Sequence, residues 1–242
     1  MNDEIAGNEP RHVRRGYCPS DEQQFTGESR LRLESGAEDI IYLLDRGYSM
    51  DSAISFVGNH RRLTARQRLA LMRLSASTQQ IEGRSARCLP SVALQESDVY
   101  IDGFNIIITL ETALSHSLLL SGRDRVVRDL AGVRGTYRII DVTESAIRLL
   151  FSFLASLSVR KATILLDAPV SNSGRLSWLL EQLAGMYPLQ VDSMAVPDAD
   201  RILGKQECVM TGDSVILDRC SHWYNLVRNM LPLLGDYWLF DL

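Results

Sequence analysis

Lysine is almost absent from this chain: of 26 basic residues only Lys161 and Lys205 are lysine, and histidine occurs four times. With a net charge of −4, this argues against a uniformly basic coat for nucleic acid. Cysteine is sparse as well. Cys18, Cys88, Cys208 and Cys220 are too scattered for a zinc motif, and in a reducing compartment they are expected to stay buried or incidental thiols. No basic segment followed by an apolar run opens the chain, and no apolar stretch reaches the roughly 20 residues a membrane-spanning helix needs. A cytoplasmic protein without a membrane partner is expected, and 45% hydrophobic against 23% charged residues suits an ordinary folded core.

What the chain does contain is one local phrase used three times. Val99-Tyr-Ile-Asp-Gly-Phe-Asn105 reads as a buried strand that ends at Asp102, turns at Gly103 and enters a helix through Ile106–Leu114, with Asn105 suited to the N-cap. Lys161–Asp167 is a second apolar strand ending on acid, followed by the loop Ser171-Asn-Ser-Gly174 and a helical pattern over Arg175–Leu183. Glu207–Asp213 is a third, running on into Ser214 and Val215–Asp218. Between the last two, Pro197-Asp-Ala-Asp200 places Asp198 and Asp200 at the start of a short helix, and Leu189–Asp192 reads as a further short strand.

Strand-helix alternation implies parallel strands whose carboxyl ends share one edge, where ligands bind in open α/β sheets. The aspartates then converge. Two carboxylates about 5 Å apart repel by roughly 3 kcal/mol at an effective dielectric near 20, so the cluster calls for a hard divalent cation. Mg²⁺ or Mn²⁺ suits partly hydrated carboxylates, and metal-assisted attack of water on a phosphodiester is the chemistry such a site performs well.

In order, Ile101-Asp-Gly-Phe-Asn105, Leu166-Asp-Ala168, Ala199-Asp-Arg-Ile202 and Thr211-Gly-Asp-Ser214 resemble the four acidic blocks of PIN-like nucleases, in particular their NYN branch. From about residue 36 to 230 the chain also resembles a prokaryotic family of uncharacterised proteins with a helical N-terminal part and a PIN-like C-terminal part. The resemblance implies an α/β/α sandwich and metal-dependent RNA cleavage. Asp102, Asp167, Asp200 and Asp213 would be the metal-site acids, with Asn105 beside them and Asp198, Ser214 and Asp218 as supporting residues. Asp198 and Asp200 remain alternatives for the inward acid, and Asp218 is equally a solvated helix residue.

Residues 1–35 lack periodicity and are expected to be disordered or loosely attached; 36–78 form a small helical module, 79–97 a linker, and 98–242 the α/β domain. Ser52–Ile81 contains no acid but carries Arg61, Arg62, Arg66, Arg68 and Arg73. This is either a solvated helix face or a track for RNA phosphates. Ser171, Asn172 and Ser173 are either a capping loop or amide donors for a phosphate. Arg123–Arg138, with Arg128 and Arg134, reads as an irregular excursion near the active edge. His116 and His222 lack nucleophile partners. Trp223 and the apolar tail Tyr237–Leu242 hint at a homodimer or at a buried tail.

The expected function is a Mg²⁺- or Mn²⁺-dependent ribonuclease. The rival is a non-catalytic RNA-binding regulator or adaptor on the same fold. A small-molecule phosphohydrolase would want an Asp-x-Asp nucleophile, and Gly103-Phe-Asn105 stands in its place.

Overall fold

The structure is a computed structural model that describes residues 13–132 and 135–242. The chain opens with helices α1 (Asp21–Phe25), α2 (Gly27–Leu44), α3 (Met50–His60), α4 (Ala65–Leu74) and α5 (Thr78–Ala86). It continues through β1 (Asp98–Asp102), α6 (Gly103–Leu114), β2 (Leu118–Ser121), β3 (Val127–Asp129), α7 (Thr143–Ser156), β4 (Lys161–Asp167) and α8 (Ser173–Ala184). It ends with β5 (Gln190–Val196), α9 (Ala199–Leu203), β6 (Val209–Met210), α10 (Ser214–Arg219), α11 (Leu226–Met230) and β7 (Trp238–Asp241).

The protein is α/β. A parallel sheet in the order β5-β4-β1-β6 is paired in register from Asp98 with Lys161 to Asp102 with Leu165. Val99, Ile101, Ile164 and Leu166 face the core built with α6, α7 and α8, whereas Tyr100 and Leu165 face the cluster containing residues of α9 and α10. Helices therefore cover both faces, as the near-continuous apolar runs of β1 and β4 require. Gly103 is needed for packing density more than for the turn. A Cβ there would lie 2.6 Å from Leu166 Cδ2 and 2.8 Å from Ile164 Cγ2, so only glycine lets α6 start this close to β4.

Three expectations are corrected. Residues 21–35 are helical rather than loose, because Phe25 and Leu33 are buried and Asp21 pairs with Arg66. The expected linker contains α5, nucleated by a capping box in which Ser77 and Gln80 satisfy each other's backbone amides. Within the supposed excursion of 123–138, Val127–Asp129 forms β3 of a second sheet of order β3-β2-β7, with β2 antiparallel to β3 and parallel to β7. The helical module packs on this sheet through Phe25, Leu33, Ile40 and Leu71 against Leu118, Leu120 and Phe240. Within the C-terminal tail Phe240 is buried and Trp238 and Leu242 pack beside it, and Trp223, 1% exposed, is buried in the cluster with α9 and α10, so most of the apolar surface that suggested a homodimer is covered within one chain. Among the described residues, no helix is long and apolar enough to cross a membrane.

A buried ionic junction fastens the parts together. Asp124 accepts from Arg84 of α5 at 2.7 Å and from Arg128 of β3 at 2.7 Å. Arg84 also grips Asp218 of α10, and Arg128 donates to the Gly212 carbonyl at 2.8 Å. Removing one member of such a set leaves buried charge uncompensated and costs about 3–5 kcal/mol. Asp124→Asn is accordingly expected to lower stability by about that amount in urea unfolding; a loss under about 1 kcal/mol would contradict this account of the junction.

Candidate active site

Sheet order reverses between β1 and β6, and the crevice at such a switch point is where α/β sheets place ligands. Asp102 ends β1 and is itself the N-cap of α6, accepting the Asn105 amide at 3.4 Å. Asp213 follows β6 and caps α10 by accepting the amides of Val215 at 2.7 Å and Ile216 at 3.2 Å. Thr211 lies between the two acids: its hydroxyl donates to Asp102 Oδ2 at 2.7 Å and accepts the Asp213 amide at 3.0 Å. Asp167 ends β4 and accepts the Ala199 amide at 3.0 Å, which ties that strand to the helix carrying Asp200. Asp102, Asp167, Asp200 and Asp213 all line one cleft of about 240 Å³.

The electrostatics follow from this crowding. Burial is the largest influence on Asp102, with the charges of Asp213 and Asp200 adding to it; together they raise its carboxyl to about 7 against the hydrogen bond from Thr211. Asp200 is raised too, first by desolvation and then by Asp213, Asp167 and Asp198. Both shifts are what a site short of positive charge produces. Among the described residues, no group of three or more such side chains is gathered tightly enough to form a ready-made metal cage.

Asn105 is not the cap, because Asp102 holds that position; its Oδ1 instead accepts the Gly212 amide at 2.7 Å, locking the β6–α10 loop onto α6. Asp129, which the sequence did not single out, and Arg73, the last member of the arginine run, also line the cleft. Asp129 ends β3, with its carboxylate held by the Thr109 hydroxyl at 2.9 Å and the Ala131 amide at 2.8 Å. Arg73, from the last turn of α4, donates to the Asp129 carbonyl at 2.7 Å. Asp129 sits in a three-residue antiparallel strand, a length at which periodicity gives no signal.

Residues 91–229 match the family described as Domain of unknown function (DUF5616). The chain belongs to the DUF5616 family. Ahead of that region, residues 32–87 match Protein of unknown function (DUF434). An uncharacterised protein of Methanocaldococcus jannaschii is 33% identical over 187 residues, covering 77% of this chain and 89% of its own. No solved structure matches.

In this DUF5616 chain several expected site residues do other work. Asp198 caps α9 by accepting the Arg201 amide at 2.9 Å, and it is Asp200 that lines the cleft. Asp218 is taken by Arg84. Arg128, expected to bind substrate, is 5% exposed and held inside the fold, where its Nη2 lies 3.3 Å from the Ser214 hydroxyl. Ser171 and Asn172 hold Tyr137: the Ser171 hydroxyl accepts its amide at 3.0 Å, and Asn172 Nδ2 donates to its carbonyl at 2.7 Å from a left-handed φ of 63°. Ser173 Oγ reaches back to the Ala168 carbonyl at 3.5 Å. That loop is a clasp, not an open phosphate nest. Arg61 pairs with Asp39, Arg66 with Asp21, and Arg68 caps the Leu63 carbonyl, so these three serve the helical module instead of forming a phosphate track; Arg62 lies outside the cleft at a left-handed φ of 53°. Arg134 falls outside the described residues.

Because the Asp102 carboxyl is raised, this group binds its proton more tightly in the folded protein than in the unfolded chain between about pH 4 and pH 7. Its contribution to stability therefore falls as pH rises through that window and levels off above it. Asp102→Asn removes that contribution. In chelator the variant should match wild type near pH 4 and exceed it at pH 8 by a few kcal/mol, one pKa unit being worth about 1.4 kcal/mol. Thermal unfolding across pH checks this, and equal stability at pH 8 would mean that the carboxylate carries no penalty.

Proposed function

We propose that this protein is a metal-dependent ribonuclease on a PIN-like α/β fold. The observation that carries the reading is the convergence of Asp102, Asp167, Asp200 and Asp213 in one cleft at the switch point of a parallel sheet. The choice of RNA as substrate rests on the resemblance of the four acidic blocks to those of NYN-type nucleases. The donor set fits Mg²⁺ or Mn²⁺: it consists of hard oxygens, it is short of positive charge, and the cleft has room for an ion that keeps several waters.

The ion, when bound, supplies positive charge against the charge developing on the scissile phosphate and acidifies water. The chain's own part is to hold and orient. Asp102, Asp167 and Asp213 are fixed by backbone amides or by Thr211, so their carboxylates are preorganised, and Asp200 faces them from α9. Asp102, raised to about 7, would have to lose its proton to solvent before its carboxylate could hold the cation, so metal binding would strengthen with pH up to that range.

Incubation of structured and single-stranded RNAs with Mn²⁺ or Mg²⁺ tests the reading. Asp102→Asn and Asp213→Asn should each cut cleavage by more than about a hundredfold, beyond the usual loss from removing a supporting partner, while both remain folded. Asp198→Asn, which keeps a competent N-cap, should cleave like wild type. Saturable RNA binding that survives chelator, with no cleavage in any metal, would instead establish the adaptor reading.

A further inference from the structure

The acidic cleft has one cation among its described lining residues, and it comes from outside the α/β domain. Arg73 lies in the last turn of α4, in the segment matched by DUF434, whereas the aspartates lie in the segment matched by DUF5616. We propose that Arg73 is the phosphate-binding residue of the cleft, so that the helical module completes the active site. This rests on the ribonuclease reading above and names what holds its substrate.

Three observations carry it. First, placement is rigid. Nη1 donates to the Asp129 carbonyl at 2.7 Å, while Leu71 and Leu74 of the same helix are buried against the second sheet. Gly122 lets that helix end approach, since a Cβ there would sit 2.4 Å from the Leu74 carbonyl oxygen. Second, the guanidinium is not used up. Among the described residues its only partners are the carbonyl and, at 3.8 Å, the Asp129 carboxylate, so the Nε and Nη2 donors stay open, and the side chain is 32% exposed. Arg66, two turns earlier, contrasts with it: Nε, Nη1 and Nη2 all have protein acceptors. Third, the open edge is the fork that pairs with two phosphate oxygens. Asp129 has both carboxylate oxygens engaged by Thr109 and Ala131, so it orients Arg73 without closing a bidentate pair on it.

Arginine positioned this way adds attraction for a phosphodiester in a cleft that otherwise repels it. The occupant is thus a backbone phosphate of the bound RNA, beside the carboxylates. The carboxylates would bind the cation and Arg73 would bind the polyanion, which separates the two affinities.

The test uses the full chain as wild type, Arg73→Met and Arg73→Lys. A fluorescent oligoribonucleotide is titrated by anisotropy across a salt series in Ca²⁺, and Mn²⁺ binding and cleavage are measured in parallel. Arg73→Met is expected to weaken oligonucleotide binding by about ten- to a hundredfold and to flatten the log-affinity against log-salt slope by about 0.7. It should also raise KM for cleavage, and Mn²⁺ binding should be retained. Arg73→Lys should keep the slope but lose part of the affinity, because the ammonium cannot form the fork. If wild type cleaves RNA and Arg73→Met binds it with unchanged affinity and slope, the assignment of Arg73 is overturned while the nuclease stands. If wild type binds without cleaving and Arg73→Met still loses affinity and slope, the nuclease reading fails and the Arg73 site survives.

Discussion

A carboxylate that accepts hydrogen bonds only from neutral donors, at the end of the central strand, sets the terms for this protein. Asp102 is 7% exposed, held by a hydroxyl and an amide, and faces further carboxylates across the cleft. Its ionised form is disfavoured, which is why its carboxyl is raised to about 7. The surrounding structure keeps it there. Gly103 allows α6 to begin against β4, Thr211 spaces Asp102 from Asp213, and Asn105 pins the loop carrying Asp213. Keeping a carboxylate whose ionised form is disfavoured gives up stability at one point, and under the proposed function that cost is what brings the acids together around a cation.

The arginines explain how an acidic protein supports that arrangement. Arg84 and Arg128 are buried on Asp124, the half-buried Arg66 pairs with the buried Asp21, and Arg15 reaches Glu111, which is wholly enclosed. Guanidinium is suited to such places because it stays charged and satisfies several acceptors at once. The near-absence of lysine therefore reflects, in part, cations used as internal fasteners. Arg73 differs by reaching the cleft with its fork unfilled, so the helical module is joined to the α/β domain both mechanically and through the site.

The acids were legible in the sequence because a parallel strand ending on aspartate has a distinctive pattern, and three such strands imply a shared edge. The choice between Asp198 and Asp200 was not, since both lie within one turn and only the cap geometry separates them. Asn105 was misread for a related reason: Asp102 serves as strand end and helix cap together, and the helix starts three residues sooner. The second sheet was hidden because β2 and β3 are four and three residues long and β7 pairs from the far end of the chain. The arginine run of 61–73 looked uncompensated because Asp21 and Asp39, the partners of Arg66 and Arg61, are supplied by other parts of the fold. Local composition cannot reveal a partner that distant.

The most direct test of the central claim, a crowded carboxylate site built to take a divalent cation, is the proton count on Mn²⁺ binding. Calorimetry in buffers of different ionisation enthalpy measures it on the intact protein without any substrate. With Asp102 titrating at about 7, saturable binding should release about half a proton per ion at pH 7, fading to nothing by about pH 9. Binding that releases no proton at pH 7 and persists in both Asp102→Asn and Asp213→Asn, or no saturable binding of Mn²⁺ or Mg²⁺ at all, would contradict it.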